Sequence, residues 1–142
     1  MFTTIEKATE NFCIHQIREP HTIYEGISQK RTLIAYIDID VEDKTKHRVY
    51  IASDSAFMQR VSSLFLEEES SDEETLIDMT LETANLIVGS AKVLAEEEGD
   101  NPYTIGTPSF EKIGAFDFDF DNAKTIVVGE DEITIAIKEI HA

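Results

Sequence analysis

Between residues 76 and 95 the apolar positions recur with the period of an α-helix. Each residue advances about 100° around the axis. With Glu82 set at zero, Leu76, Ile77, Leu81, Ala84, Ile87, Val88, Ala91 and Ala95 fall between about 120° and 260°. Asp78, Asn85 and Gly89 fall within about 60° of Glu82, on the other side. The pattern predicts a helix of about 25 residues, capped by Ser71 or Asp72 and stopped by Gly99. One face is built for a core; the other carries a carboxylate and a carboxamide one turn apart. Met79, Leu86 and Val93 flank that polar pair on the exposed side, an arrangement suited to docking. Gly89 costs about 1 kcal/mol relative to alanine inside a helix. On the Glu82 stripe it leaves room either for another helix of this chain or for the backbone of a partner.

The rest of the chain alternates between the two periods. Ile5, Ala8, Phe12 and Ile17 mark a first helix over 3–17, with Thr3 or Thr4 to cap it and Pro20 beyond its end. A short strand follows over 22–27, then a stronger one over 31–41. There Leu33, Ala35, Ile37, Ile39 and Val41 face one way and Ile34, Tyr36, Asp38 and Asp40 the other. The polar stretch 42–46 reads as a hairpin turn, and 47–52 pairs back with Val49 and Ile51 toward the core. Ser53 or Asp54 caps a short helix carrying Phe57, Val61, Leu64 and Phe65. After Pro102 the chain is strand-rich. Phe116, Phe118 and Phe120 alternate with Asp117, Asp119 and Asp121, which predicts a strand with its aspartates on a solvated face. At about 7 Å apart they are too evenly spread for one small cation. A terminal hairpin runs over 125–128 and 132–140 across Gly129-Glu130-Asp131, with Ile133, Ile135 and Ile137 inward. The predicted fold class is α+β: a mostly antiparallel sheet of about six strands covered by helices.

Composition narrows the function classes. A chain of 142 residues with 42% hydrophobic content fits one domain over 1–142 with a packed core. Twelve basic against twenty-nine acidic residues give a net charge of -17, which opposes binding to nucleic acid or anionic membrane. Cys13 is the single cysteine, so no intramolecular disulfide is expected. No apolar run approaches the span of a bilayer, and Glu6 and Glu10 are unlike a signal peptide, so a cytoplasmic protein is expected. The acidic stretch 67–74 reads as a solvated connector whose carboxylates also meet the positive end of the following helix. Four dispersed histidines give no metal-ligand spacing, and six scattered glycines give neither a phosphate-cradling loop nor a dinucleotide fingerprint. No nucleophile elbow is present, and Cys13 has only His15 nearby, so a covalent nucleophile is not expected.

What remains is the pair Glu82 and Asn85. A carboxamide offers both a donor and an acceptor, so Asn85 can hold and orient a bound water.

The Glu82-x-x-Asn85 pair with Gly89 four residues on, within the run Asn-Leu-Ile-Val-Gly-Ser-Ala-Lys, resembles the signature helix of the CheX/CheC chemotaxis phosphatases. Gly99, the segment Ile105-Gly106-Thr107-Pro108 and the terminal hairpin are similar in order to the same family, over roughly the last three-quarters of the chain. One motif rather than two resembles CheX more than CheC. The resemblance implies a CheC/CheX-like fold and hydrolysis of the phosphorylated aspartate of a CheY-like response regulator. It implies catalytic roles for Glu82, which would engage the regulator's active-site lysine, and for Asn85. It implies partner contacts at Asp78, Met79, Leu86, Gly89 and Val93, and magnesium supplied by the receiver domain rather than by this chain. Members of the family are often homodimers. A non-catalytic module of the same fold, docking a receiver or a flagellar switch component, is the competing expectation.

Overall fold

The structure, a computed structural model, describes residues 2–41, 45–99 and 103–140. A sheet of seven strands forms the frame: β1 (Thr22–Glu25), β2 (Thr32–Val41), β3 (Lys46–Asp54), β4 (Tyr103–Ile105), β5 (Ser109–Gly114), β6 (Asn122–Val128) and β7 (Asp131–Ile140). Their order across the sheet is β1-β6-β7-β3-β2-β4, and β5 joins the same edge of β2 as β4 does. Each strand pairing is antiparallel. Three α-helices, α1 (Phe2–Phe12), α2 (Ser55–Leu66) and α3 (Glu73–Glu97), pack on one face. The fold is therefore α+β, and seven strands stand where about six were expected.

Alternation along β2 sets the two faces as the sequence predicts. Leu33, Ala35, Ile37, Ile39 and Val41 join the helices in the main core with Val49, Ile51, Ile133, Ile135 and Ile137. The opposite positions build a second, smaller core from Ile34, Tyr50, Ala52, Ala123 and Ala136. Asp38 lies directly across from Arg48, and the two make paired hydrogen bonds of 2.7 and 3.1 Å. The expected turn at 42–46 falls mostly on 42–44, outside the described residues; Val41 does donate its N–H to the carbonyl of Thr45.

The second core explains a departure from expectation. Residues 115–121 are not a strand. Phe116 and Phe118 instead close over Tyr50, with ring centroids 5.3 and 5.0 Å away. The alternating pattern is real, but it is met by an irregular strap whose phenylalanines cover the sheet rather than extend it. Two of the aspartates have separate partners: Asp117 pairs with Lys112 at 2.8 Å, and Asp121 accepts the N–H of Glu139 at 2.7 Å.

The first helix also differs at its end. It passes at Cys13 into a π-helical turn, Cys13–Ile17, closed by Arg18 in a left-handed conformation. Arg18 returns its N–H to the carbonyl of Cys13 at 2.8 Å. Cys13 lies fully buried, and burial pushes its thiol up to about 12, so it packs as a small apolar residue.

Candidate functional site

Helix α3 is capped by Asp72, whose side chain accepts the N–H of Thr75 at 2.8 Å. Hydrogen bonding from Thr75 holds the Asp72 carboxyl below its usual range, and Glu73 and Glu74 complete an acidic first turn at the positive end of the helix. The helix runs 25 residues and gives way at Gly99, which has a φ of +74°. Leu76, Ala84, Ile87, Val88, Ala91 and Ala95 are buried as the periodicity predicts, with Ile77 and Leu81 half-buried. The apolar pattern does not reveal that Thr80 and Thr83 share this buried face. Thr80 returns its hydroxyl hydrogen to the carbonyl of Leu76, and Thr83 directs its own at the sulfur of Met58. Both hydroxyls are satisfied, as buried polar groups require.

The opposite stripe is open. Asp78, Glu82 and Asn85 are exposed. Among the described residues neither Glu82 nor Asn85 makes a hydrogen bond or ion pair. At i and i+3 their Cβ atoms are about 5–6 Å apart, so both side chains can reach one bound group. A Cβ at Gly89 would meet no heavy atom within 4 Å. No helix of this chain crosses there among the described residues, which removes the reading of Gly89 as an internal helix crossing. Leu86 and Val93 are 37% and 52% exposed.

Met79 is a correction. It was expected beside Leu86 on the exposed flank, but it is 7% exposed and belongs to the main core. The wheel treats the flank as uniform along the helix. Helix α2 packs against α3, with Met58 beside Thr83, and the flank is covered at Met79 while Leu86 stays open. Met79 therefore leaves the set of surface contacts.

Sequence reasoning also missed an apolar cluster next to this stripe. Leu64 and Phe65, expected to serve the core, are 49% and 41% exposed, and Leu66 is 45% exposed. A signal was present: three consecutive apolar residues sweep about 200° of a helix and cannot all face one core. Phe65 stacks on Phe12 at 6.3 Å. Among the described residues no three His, Cys, Asp or Glu side chains converge as metal ligands, and no helix is long and apolar enough to cross a membrane.

A family profile for the chemotaxis phosphatase CheX matches residues 36–129, a span that includes the whole of α3. Among solved structures, the chain is similar to the chemotaxis protein CheX from Vibrio vulnificus (15% identity, 96% of this chain and 95% of that one, TM-score 0.76). It is also similar to a CheX from Desulfovibrio desulfuricans (15% identity, 97% of each chain, TM-score 0.72). A third likeness is to the CheX–CheY–BeF3–Mg2+ complex from Borrelia burgdorferi (16% identity, 97% of each chain, TM-score 0.69). These likenesses speak to the fold. A search of curated protein sequences finds no match.

Proposed function

The chain belongs to the CheX family of chemotaxis phosphatases, and on that premise we propose that it hydrolyses the aspartyl phosphate of a CheY-like receiver domain on the exposed face of α3. The observation that carries this reading is the state of Glu82 and Asn85. They are exposed and uncommitted within the described chain, on a helix whose other face is locked into the core. In the proposal the Asn85 carboxamide accepts a hydrogen bond from a water and holds its oxygen in line with the phosphorus. The new P–O bond forms as the bond to the aspartate oxygen breaks, which releases the free carboxylate and inorganic phosphate. Glu82 is itself an anion and cannot stabilise phosphoryl charge. Its role is to pair with the receiver's active-site lysine and set Asn85 in register.

Magnesium accompanies CheX, CheY and BeF3 in the Borrelia complex, and here it would neutralise phosphoryl charge from within the receiver. Asp78, Gly89, Leu86 and Val93 would surround the pair as docking surface, with Gly89 admitting the receiver's backbone. The test is phosphate release from phosphorylated CheY-type receivers with and without this protein. Acceleration by at least one of them supports the proposal; unchanged autodephosphorylation across the set refutes it.

A further inference from the structure

The exposed apolar surface does not stop at the Glu82 stripe. Leu86, about 40° around the helix from Glu82, also lines a cleft of ≈ 220 Å³ between α3, the end of α1 and the last turn of α2. Stacked Phe12 and Phe65 supply its aromatic lining, and exposed His15 and Ser90 lie at its rim. The π-helical turn Cys13–Ile17 brings His15 and Gln16 to this cleft; such turns within helices are frequent at functional sites. Leu64 and Leu66, the chain neighbours of Phe65, are both near half exposed.

Carboxylates continue the chain directly beyond the cleft-lining end of α2. Glu67, Glu68 and Glu69 follow Leu66 directly and are exposed, and Asp78 and Glu82 lie along the adjoining stripe. Apart from His15, none of the cleft-lining residues is basic or acidic. An occupant matched to these features presents an apolar side chain to the cleft and lysine or arginine to its margin. Leu86 belongs to both surfaces, so the cleft is continuous with the stripe that carries Glu82 and Asn85.

We propose that this cleft is a second docking point for the same receiver, taking an apolar side chain from a basic-flanked segment, and that it sets affinity and partner choice rather than the chemical step. The inference rests on the phosphatase reading for the identity of the occupant.

The test combines two variants with two readouts. Phe65→Ser removes one lining side chain; Ser90→Trp fills the cleft from its exposed rim and removes no core packing. Steady-state dephosphorylation of a CheY-type receiver should show KM raised about tenfold or more with kcat within about twofold for each variant. Calorimetric binding of the beryllofluoride-loaded receiver should weaken by the same factor. Thermal melts identify any variant that fails to fold, and Ser90→Trp remains informative if Phe65→Ser is lost. A charge-reversed receiver segment, lysine to glutamate, should weaken parent binding further. Folded Phe65→Ser and Ser90→Trp proteins that match the parent in KM and in binding overturn the cleft. Absence of turnover by the parent sinks the phosphatase reading separately, and the binding arm still decides whether the cleft contacts the receiver.

Discussion

The hydroxyl of Thr83 directs its hydrogen at the sulfur of Met58, 3.7 Å away, and both residues are fully buried. Thr83 is the residue after Glu82, so α2 braces α3 from behind at the point where the carboxylate is presented. Exposed reactive side chains gain precision when the element that carries them is fixed by packing. Here the fixing elements are α1 and α2 on the flank and the sheet beneath, held in one continuous core.

That arrangement predicts the behaviour of Met79. Because Met79 is a core residue, Met79→Ala should lower stability by about 2–5 kcal/mol, the usual cost of truncating a buried methionine. Activity per folded molecule, measured well below the melting range, should stay close to that of the parent. Denaturant unfolding checks the first half and titration of active protein the second. A variant of unchanged stability with weakened receiver binding would return Met79 to the surface.

Asn85→Ala should separate chemistry from folding. The residue is exposed and unbonded among the described residues, so its loss should move the melting temperature little. The rate of receiver dephosphorylation should fall by roughly two orders of magnitude or more, the scale of losing a positioning group. Binding of a beryllofluoride-loaded receiver should be nearly normal. Equal turnover by variant and parent contradicts the assigned role.

Much of this was legible in the sequence because one-dimensional periods map directly onto faces. The buried stripe of α3 and the inward isoleucines of β7 follow from periods of 3.6 and 2 alone. The caps follow from residue type instead: of Ser53 or Asp54, and of Ser71 or Asp72, it is the aspartate that accepts the backbone N–H three residues on. What was not legible depends on which element lies beside which. Periodicity assigns Met79 an angle on α3 but does not say that its side of the helix is covered there. Phe116 and Phe118 alternate like strand residues, yet whether they pair as a strand or strap a sheet is decided by Tyr50, more than sixty residues away in the chain. The exposure of Leu64 and Phe65 was open to the same counting that exposed Glu82, and was missed because an apolar residue was assumed to be inside.

Acid should loosen the junction between the terminal hairpin and the stretch from β1 to the start of β2. Glu132 lies in a network in which Tyr24 donates its hydroxyl hydrogen at 2.5 Å and Lys30 approaches at 3.3 Å. Burial pushes the Glu132 carboxyl upward, but hydrogen bonds from Tyr24, Lys30 and Ser28 outweigh it and leave the pKa lowered. A carboxylate with a depressed folded-state pKa contributes stability above its ordinary range, and that contribution is lost as pH falls through the folded value. Glu132→Gln should therefore melt lower than the parent at pH 7, by about 3–6 °C for a loss on the order of 1 kcal/mol. The difference should shrink toward zero below about pH 4. Parallel melting curves across that range would exclude the network as a source of stability.

Docking and chemistry can be separated on the same stripe through Gly89. With nothing within 4 Å of its Cβ position, Gly89→Leu has room for a side chain and replaces a poor helix former with a good one. Stability should hold or rise by up to about 1 kcal/mol. No catalytic group is touched, so the intrinsic chemistry of Glu82 and Asn85 is intact. Yet a leucine one turn beyond Asn85 on the same face stands where the proposed docking brings the receiver's backbone. Affinity for a beryllofluoride-loaded receiver should fall at least tenfold while the thermal midpoint stays level or increases. Substituting alanine should give an intermediate loss, because a methyl group obstructs less than an isobutyl group. A leucine variant that binds as the parent does would mean that the receiver does not use this stripe. A destabilised one, losing about 1–3 kcal/mol as overpacked sites do, would mean that Gly89 lies against part of the chain after all.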